Sequence, residues 1–169
     1  MAFGYVAQTE AHTLTGGAGN DIFVFSSETC ALDSGDADAT ADIIKDYTEG
    51  DIICLDATGA NTDNVAGASA AGTTNATTDV SVSAGGKVTF AAADDTLAKK
   101  LVAVVADDTE IAAREILFFE DCGNTYIHGA GDVATIATDD SLIVLEGVTV
   151  TGMTTLTEST TSSGDFTIA

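Results

Sequence analysis

Apolar residues in this chain come in short bursts separated by polar, glycine-rich stretches, a rhythm that suits short strands joined by glycine turns. Ile22 to Phe25 form the first burst and read as a strand buried on both faces, followed by a loop from Ser26 to Ala41. Residues Asp42 to Asp56 read as two β-prone segments about a turn at Gly50, in a register that would bring several carboxylates together. The tract from Ala57 to Asp79 is too poor in large apolar groups to make a core and reads as a long surface loop. Val80, Val82, Val88 and Phe90 alternate around Gly85-Gly86, the pattern of a tight hairpin with one buried face. The one helix predicted starts at Asp94 or Asp95, either of which can cap free backbone N–H groups. It carries Leu97, Leu101, Val104 and Val105 at helical spacing and ends near Ala106. Ile116–Phe119 and Tyr126-Ile127 flank the polar turn Glu120–Asn124 as a second hairpin. Leu142–Leu145 and Val148–Val150 supply further strands around Gly147.

One of the glycine turns carries chemistry. Gly16-Gly17-Ala18-Gly19-Asn20-Asp21-Ile22-Phe23-Val24 fits the calcium-binding β-helix repeat G-G-x-G-x-D-x-U-x at every specified position. Glycines let the backbone turn tightly with carbonyls aimed at an ion, and an aspartate adds the hard anionic oxygen that calcium prefers. The first candidate site is therefore Asp21 with the carbonyls of Gly17 and Gly19, with Phe23 pointing inward from the strand that follows. Asp42, Asp46 and Asp51 form a second candidate. Asp107 and Asp108 with Glu110, and Asp132 with Asp139 and Asp140, form weaker groups, for which helix termination, loop solvation and N-capping are the plainer readings. No second full copy of the nonapeptide follows the first.

Composition narrows the partners. The chain has 27 acidic residues against 5 basic ones among 169, a formal charge of −22, which excludes nucleic acid and an anionic membrane surface and favours cations. No apolar run is long enough to span a membrane. The first twelve residues lack the basic and apolar regions of a signal peptide, so no Sec route is expected. Cys30, Cys54 and Cys122 show no metal-ligand spacing with His12 or His128. Burial as small apolar side chains, an intrachain pair with one thiol left over, and an intermolecular bridge all stay open for them. There is no H-E-x-x-H, G-x-S-x-G or P-loop. Cys122 with His128 is the one conceivable nucleophile and base, more plainly a hairpin cysteine and a surface histidine, so no enzyme is expected.

Taken together, TLTGGAGNDIFVF and the Asp42–Asp56 segment resemble the C-terminal calcium-binding regions of repeats-in-toxin proteins, in which a last repeat is followed by a D-x-I-x-D-F-x-x-G-x-D-x-I-D-L cap. Asp42, Asp46, Gly50 and Asp51 fit that cap and Tyr47 stands for its aromatic. The chain departs from it by one missing residue after Gly50 and by Cys54 where the family often has aspartate. Gly123–Ile127 and Asp139–Val148 are similar to the G-x-T-Y and D-x-L-V-x-L-x-G stretches of such regions, and Ser163–Ala169 resembles their uncleaved export signal.

The resemblance implies a secreted, extracellular or cell-surface protein exported through a type I secretion apparatus and folding when it meets calcium. The fold expected is mainly β: a short calcium β-roll turn merged into a β-sandwich-like domain with one packed α-helix. It would form a single domain over 1–169, with turn and cap at 13–56, loop at 57–79, hairpins and helix at 80–150, and tail at 151–169. The family usually sets such a region behind a larger passenger, for which a chain beginning at Met1 and made almost entirely of calcium domain leaves no room. The function expected is therefore a structural protein that polymerises with itself through strand-edge or terminal exchange. A secretion, folding or adhesin module is the alternative.

Overall fold

The computed structural model describes residues 3–6, 11–26, 41–56, 64–65, 80–83, 86–106, 115–129, 141–150, 153–155 and 165–168. Its N-terminal part winds back and forth between two sheets. β1 (Phe3–Val6), β3 (Ile22–Ser26) and β5 (Ile52–Asp56) run parallel in one sheet, while β2 (Thr13–Leu14) and β4 (Asp42–Ile44) run parallel in the other. Residues thirty apart lie side by side in both: Thr13 pairs with Ile43, and Ile22 with Ile52. The Asp42–Asp56 segment is therefore not a hairpin. Its two strands belong to different sheets, and each pairs with the strand one coil earlier, which the long crossover between parallel neighbours allows.

Later strands extend both sheets. β13 (Asp165–Ile168) adds antiparallel to β5 and β12 (Met153–Thr155) antiparallel to β13, giving the order β1-β3-β5-β13-β12, so part of the export-like tail is a strand of the sheet. On the other sheet β11 (Ser141–Leu145) continues parallel to β4, followed by antiparallel β10 (Asn124–Gly129) and β9 (Glu115–Asp121). A short β6 (Asn64–Val65), the one described piece of the 57–79 tract, lies outside β9. The fold is thus mainly β with one described helix. Among the described residues no helix is long and apolar enough to cross a membrane.

Two apolar layers hold it. Phe23, Phe25 and Ile53 from the five-stranded sheet meet Ile44, Phe118 and Ile127 from the six-stranded one. The outer face of the six-stranded sheet carries Leu117, Phe119, Tyr126 and Leu142 and is covered by the hairpin β7 (Val80–Val82) and β8 (Val88–Phe90) and by the helix α1 (Leu97–Ala106). A sheet covered on both sides explains the uninterrupted apolar runs at Ile116–Phe119 and Leu142–Leu145. The Val80–Phe90 hairpin has the alternation expected, with Val80, Val82 and Val88 buried and Ser81 and Thr89 exposed.

Three local expectations change. The helix cap is Thr96, whose hydroxyl accepts from the Lys99 N–H at 3.4 Å and whose carbonyl accepts from the Lys100 N–H at 3.0 Å. Asp95 turns instead to the Lys99 ammonium, 2.6 Å away. Val148–Val150 form no strand, because their backbone groups bond to side chains: the Thr125 hydroxyl donates to the Val148 carbonyl, and the Val150 N–H donates to Glu120. Strand β3 alternates instead of being buried on both faces, with Phe23 and Phe25 inside and Ile22 and Val24 half-buried.

Between β9 and β10 the two-residue turn Cys122-Gly123 has φ of 49° and 84°, the two positive values of a type I′ turn. A left-handed conformation costs an ordinary L-residue about 1–2 kcal/mol, and asparagine much less. Cys122→Asn is therefore expected to raise stability by roughly 0.5–1 kcal/mol, read as a higher urea midpoint at unchanged slope. An unchanged or lower midpoint would refute the strain.

Candidate metal centre

The loop Gly16–Asp21 joins β2 to β3 and lies over residues 46–51 of the next coil. Gly17 and Gly19 have φ of 92° and 113°, values that L side chains rarely adopt, so the turn can aim carbonyls as the nonapeptide requires. Gly16 is needed for a different reason. A Cβ there would lie 2.8 Å from Asp21 Oδ2 and 2.9 Å from Phe23 Cζ, so the carboxylate and the ring are packed under the loop backbone. Asp21 is only 2% exposed and Phe23 points into the core, as expected.

The second coil uses its acids in a way the sequence did not suggest. Asp42 Oδ1 accepts the His12 N–H at 2.7 Å. Asp46 accepts the Gly16 and Gly17 N–H groups at 2.9 and 2.8 Å, one on each oxygen. Asp51 Oδ1 accepts the Asp21 N–H at 2.8 Å, while Oδ2 accepts the N–H and hydroxyl of Thr48. Each carboxylate thus clamps a backbone group 29 or 30 residues earlier: Asp42 just before β2, Asp46 at the start of the Gly16–Asp21 turn and Asp51 at its end. Such charge-assisted bonds satisfy N–H groups that an irregular turn cannot pair with a strand ladder. Tyr47 is buried and its hydroxyl donates to the Asp51 carbonyl at 3.0 Å, bracing the same turn.

Asp42 is the most confined of these acids. Burial pushes its carboxyl above the ordinary aspartate value, against the lowering effect of the His12 N–H and imidazole. The His12 Nδ1 lies 3.4 Å from Asp42 Oδ1, a contact that no motif in the sequence signals.

The candidate residues therefore divide. Gly17, Gly19 and Asp21 lie together in one loop, and Asp46 and Asp51 stack against it, but Asp42 stands at the start of its coil beside His12. Among the described residues no three His, Cys, Asp or Glu side chains gather around a common point, so an ion at the loop would draw mainly on backbone carbonyls and Asp21. A cradle of glycine backbone over a buried carboxylate fits a hard cation of that kind. Asp107, Asp108, Glu110, Asp132, Asp139, Asp140 and Cys30 lie outside the described residues.

Cys122 and His128 are not brought together. Cys122 is a free thiol exposed in the β9–β10 turn. His128 lies at the other end of β10 and is fully buried, not a surface histidine, because strands pack on both sides of β10 and apolar side chains fill its outer face. Cys54 is buried. Every lysine of the chain pairs with an acid: Lys45 with Glu146, Lys87 with Glu120, Lys99 with Asp95 and Lys100 with Asp121. Those four pairs leave most of the 27 acids to be screened by cations from solution. No protein-family model matches this chain, and no curated protein sequence matches it.

Proposed function

We propose that this chain is an extracellular structural protein whose coil stack is stabilised by calcium at the Gly16–Asp21 loop, and which assembles with itself after type I secretion. The observation that carries this reading is the loop itself. Its two left-handed glycines and its buried aspartate follow the calcium nonapeptide, and it lies at the outer coil of a parallel stack. Before calcium is met, a charge of −22 opposes compaction, and a cation held between neighbouring turns offsets part of that repulsion. Extracellular calcium modules bind at about 10⁻⁴–10⁻³ M, so millimolar calcium contributes on the order of 1 kcal/mol per site.

The edges support self-assembly. β1 and β12 end one sheet, and β2 and β6 end the other, so among the described residues the two large sheets have four edge strands. Such edges recruit strands from a second copy. Thermal melts and electron microscopy of the purified protein, with calcium and with chelator, test both halves. Calcium should raise the melting temperature by about 3 °C per site, and regular polymers should form with the ion. Melts indifferent to chelator sink the calcium half, and a persistent monomer in calcium sinks the assembly half.

A further inference from the structure

His128 is a buried titratable group to which neither the calcium loop nor the assembly edges give a task. It is 1% exposed, and neither ring nitrogen has a hydrogen-bond partner. A buried imidazole without partners is costly even when neutral, and far more so when charged. Among the described residues no hydrogen bond or ion pair offsets a charge on it. Its neighbours across the sheet are Leu117 on β9 and Leu142 on β11, both fully buried. Strand alternation places it with Tyr126 on the outer face of the sheet.

The same face carries Ile43 on β4 and Ala41 just before it, and over it α1 and the β7–β8 hairpin contribute alanine, valine, leucine and phenylalanine side chains. Tyr126 belongs to this layer, and Lys100 on α1 sits at its margin with its ammonium over the Phe90 ring and paired with Asp121. The described charged residues along the neighbouring strand are Glu115, two residues along β9 from Leu117, and, at the turn end of the β9–β10 hairpin, the ion pairs of Lys87 with Glu120 and Lys100 with Asp121. Glu120 is three residues along β9 from the strand partner of His128, about 10 Å.

We infer that His128 is an acid-sensitive latch: taking up a proton requires the α1 and β7–β8 layer to lift from the six-stranded sheet, so this layer opens as the pH falls while the two-sheet roll stays closed. The topology selects the element that moves. β10 is central, hydrogen-bonded on both sides, so water reaches the ring from the outer face. Among the described residues that face is covered by a ten-residue helix and a two-stranded ribbon, which are small units with little stability of their own.

Burial lowers the His128 value from the ordinary 6.5 to about 4, so the open form binds the proton more strongly than the closed one. The closed layer keeps its full stability above pH 6.5 and loses it as the pH falls toward 4. The opening constant should rise about 30-fold between pH 7.5 and pH 5.

The test is amide hydrogen exchange in calcium-containing buffer, expressed as protection factors so that intrinsic exchange rates cancel. Between pH 7.5 and pH 5, protection in α1 and β7–β8 should fall about 30-fold, while β3 and β5 hold theirs, and in His128→Leu the fall should vanish. An equal fall in the variant, or an equal fall across β3 and β5, overturns the latch. Imidazole NMR on the unmodified protein is an independent check: the inference requires no His128 titration near pH 6.5 in the native state, and a midpoint there refutes it.

Discussion

Asp51→Ala is expected to lower the unfolding free energy by about 3–5 kcal/mol, a large part of the 5–15 kcal/mol that a typical domain has. The side chain is 2% exposed and accepts three hydrogen bonds, from the Asp21 N–H at 2.8 Å, the Thr48 N–H at 2.8 Å and the Thr48 hydroxyl at 3.2 Å. Truncation removes all three and leaves the Asp21 N–H, at the seam between coils, with no acceptor in place of the carboxylate. Hydrogen bonds to a charged group contribute about 1.5–3 kcal/mol each, and an orphaned donor adds its own desolvation cost. Asp51→Asn should lose less, because it keeps one acceptor oxygen while setting its NH₂ against a donor. Urea unfolding followed by circular dichroism, with calcium and with chelator, separates the two roles open to this residue. An equal loss in both buffers marks a clamp alone, and a larger loss in calcium marks a ligand as well. A loss under about 1 kcal/mol in both would refute the clamp.

That clamp was hidden in the sequence for a physical reason. Between residues 13–24 and 43–54 only Asp21/Asp51 and Ile22/Ile52 are identical, so the thirty-residue coil leaves almost no repeat in the letters. What the two coils share is backbone path, and backbone path is specified by contacts between coils that periodicity within a segment cannot report. The Asp42–Asp56 stretch carries the local marks of a hairpin, two β-prone runs about a glycine, yet its strands pair with earlier coils. Elements closed by neighbouring residues were legible. The Val80–Phe90 ribbon, the Glu115–Gly129 hairpin and the Leu97–Ala106 helix all follow from alternation, turn chemistry or helical spacing. Of the candidate site, the glycine loop was readable because its conformation is written in its own residues. The use of Asp42, Asp46 and Asp51 was not, because their partners are backbone N–H groups, which every residue but proline possesses.

Phe23→Ala is expected to cost about 3–5 kcal/mol and also to weaken calcium binding. Phe23 is 2% exposed between the two sheets, pairs with Ile53 and lies with its ring tip beneath Gly16. Removing it leaves a cavity that a parallel ladder closes poorly, because β1 and β5 hold β3 on both sides. The melting temperature should fall by roughly 10 °C or more. The ring is also the floor on which the Gly16–Asp21 turn rests, so the loop should lose its preset shape and pay more ordering entropy when it takes up an ion. Phe118→Ala supplies the control. It empties the same apolar layer from β9, far along the fold from the loop, and should cost a similar amount with calcium affinity unchanged. Calorimetric titration of both variants, at a temperature where each is folded, decides the point. Weaker binding in Phe23→Ala alone ties the loop to its apolar floor. Equal affinities would mean that the glycine turn keeps its shape without the ring, and the Gly16 contact would then be packing with no bearing on the ion.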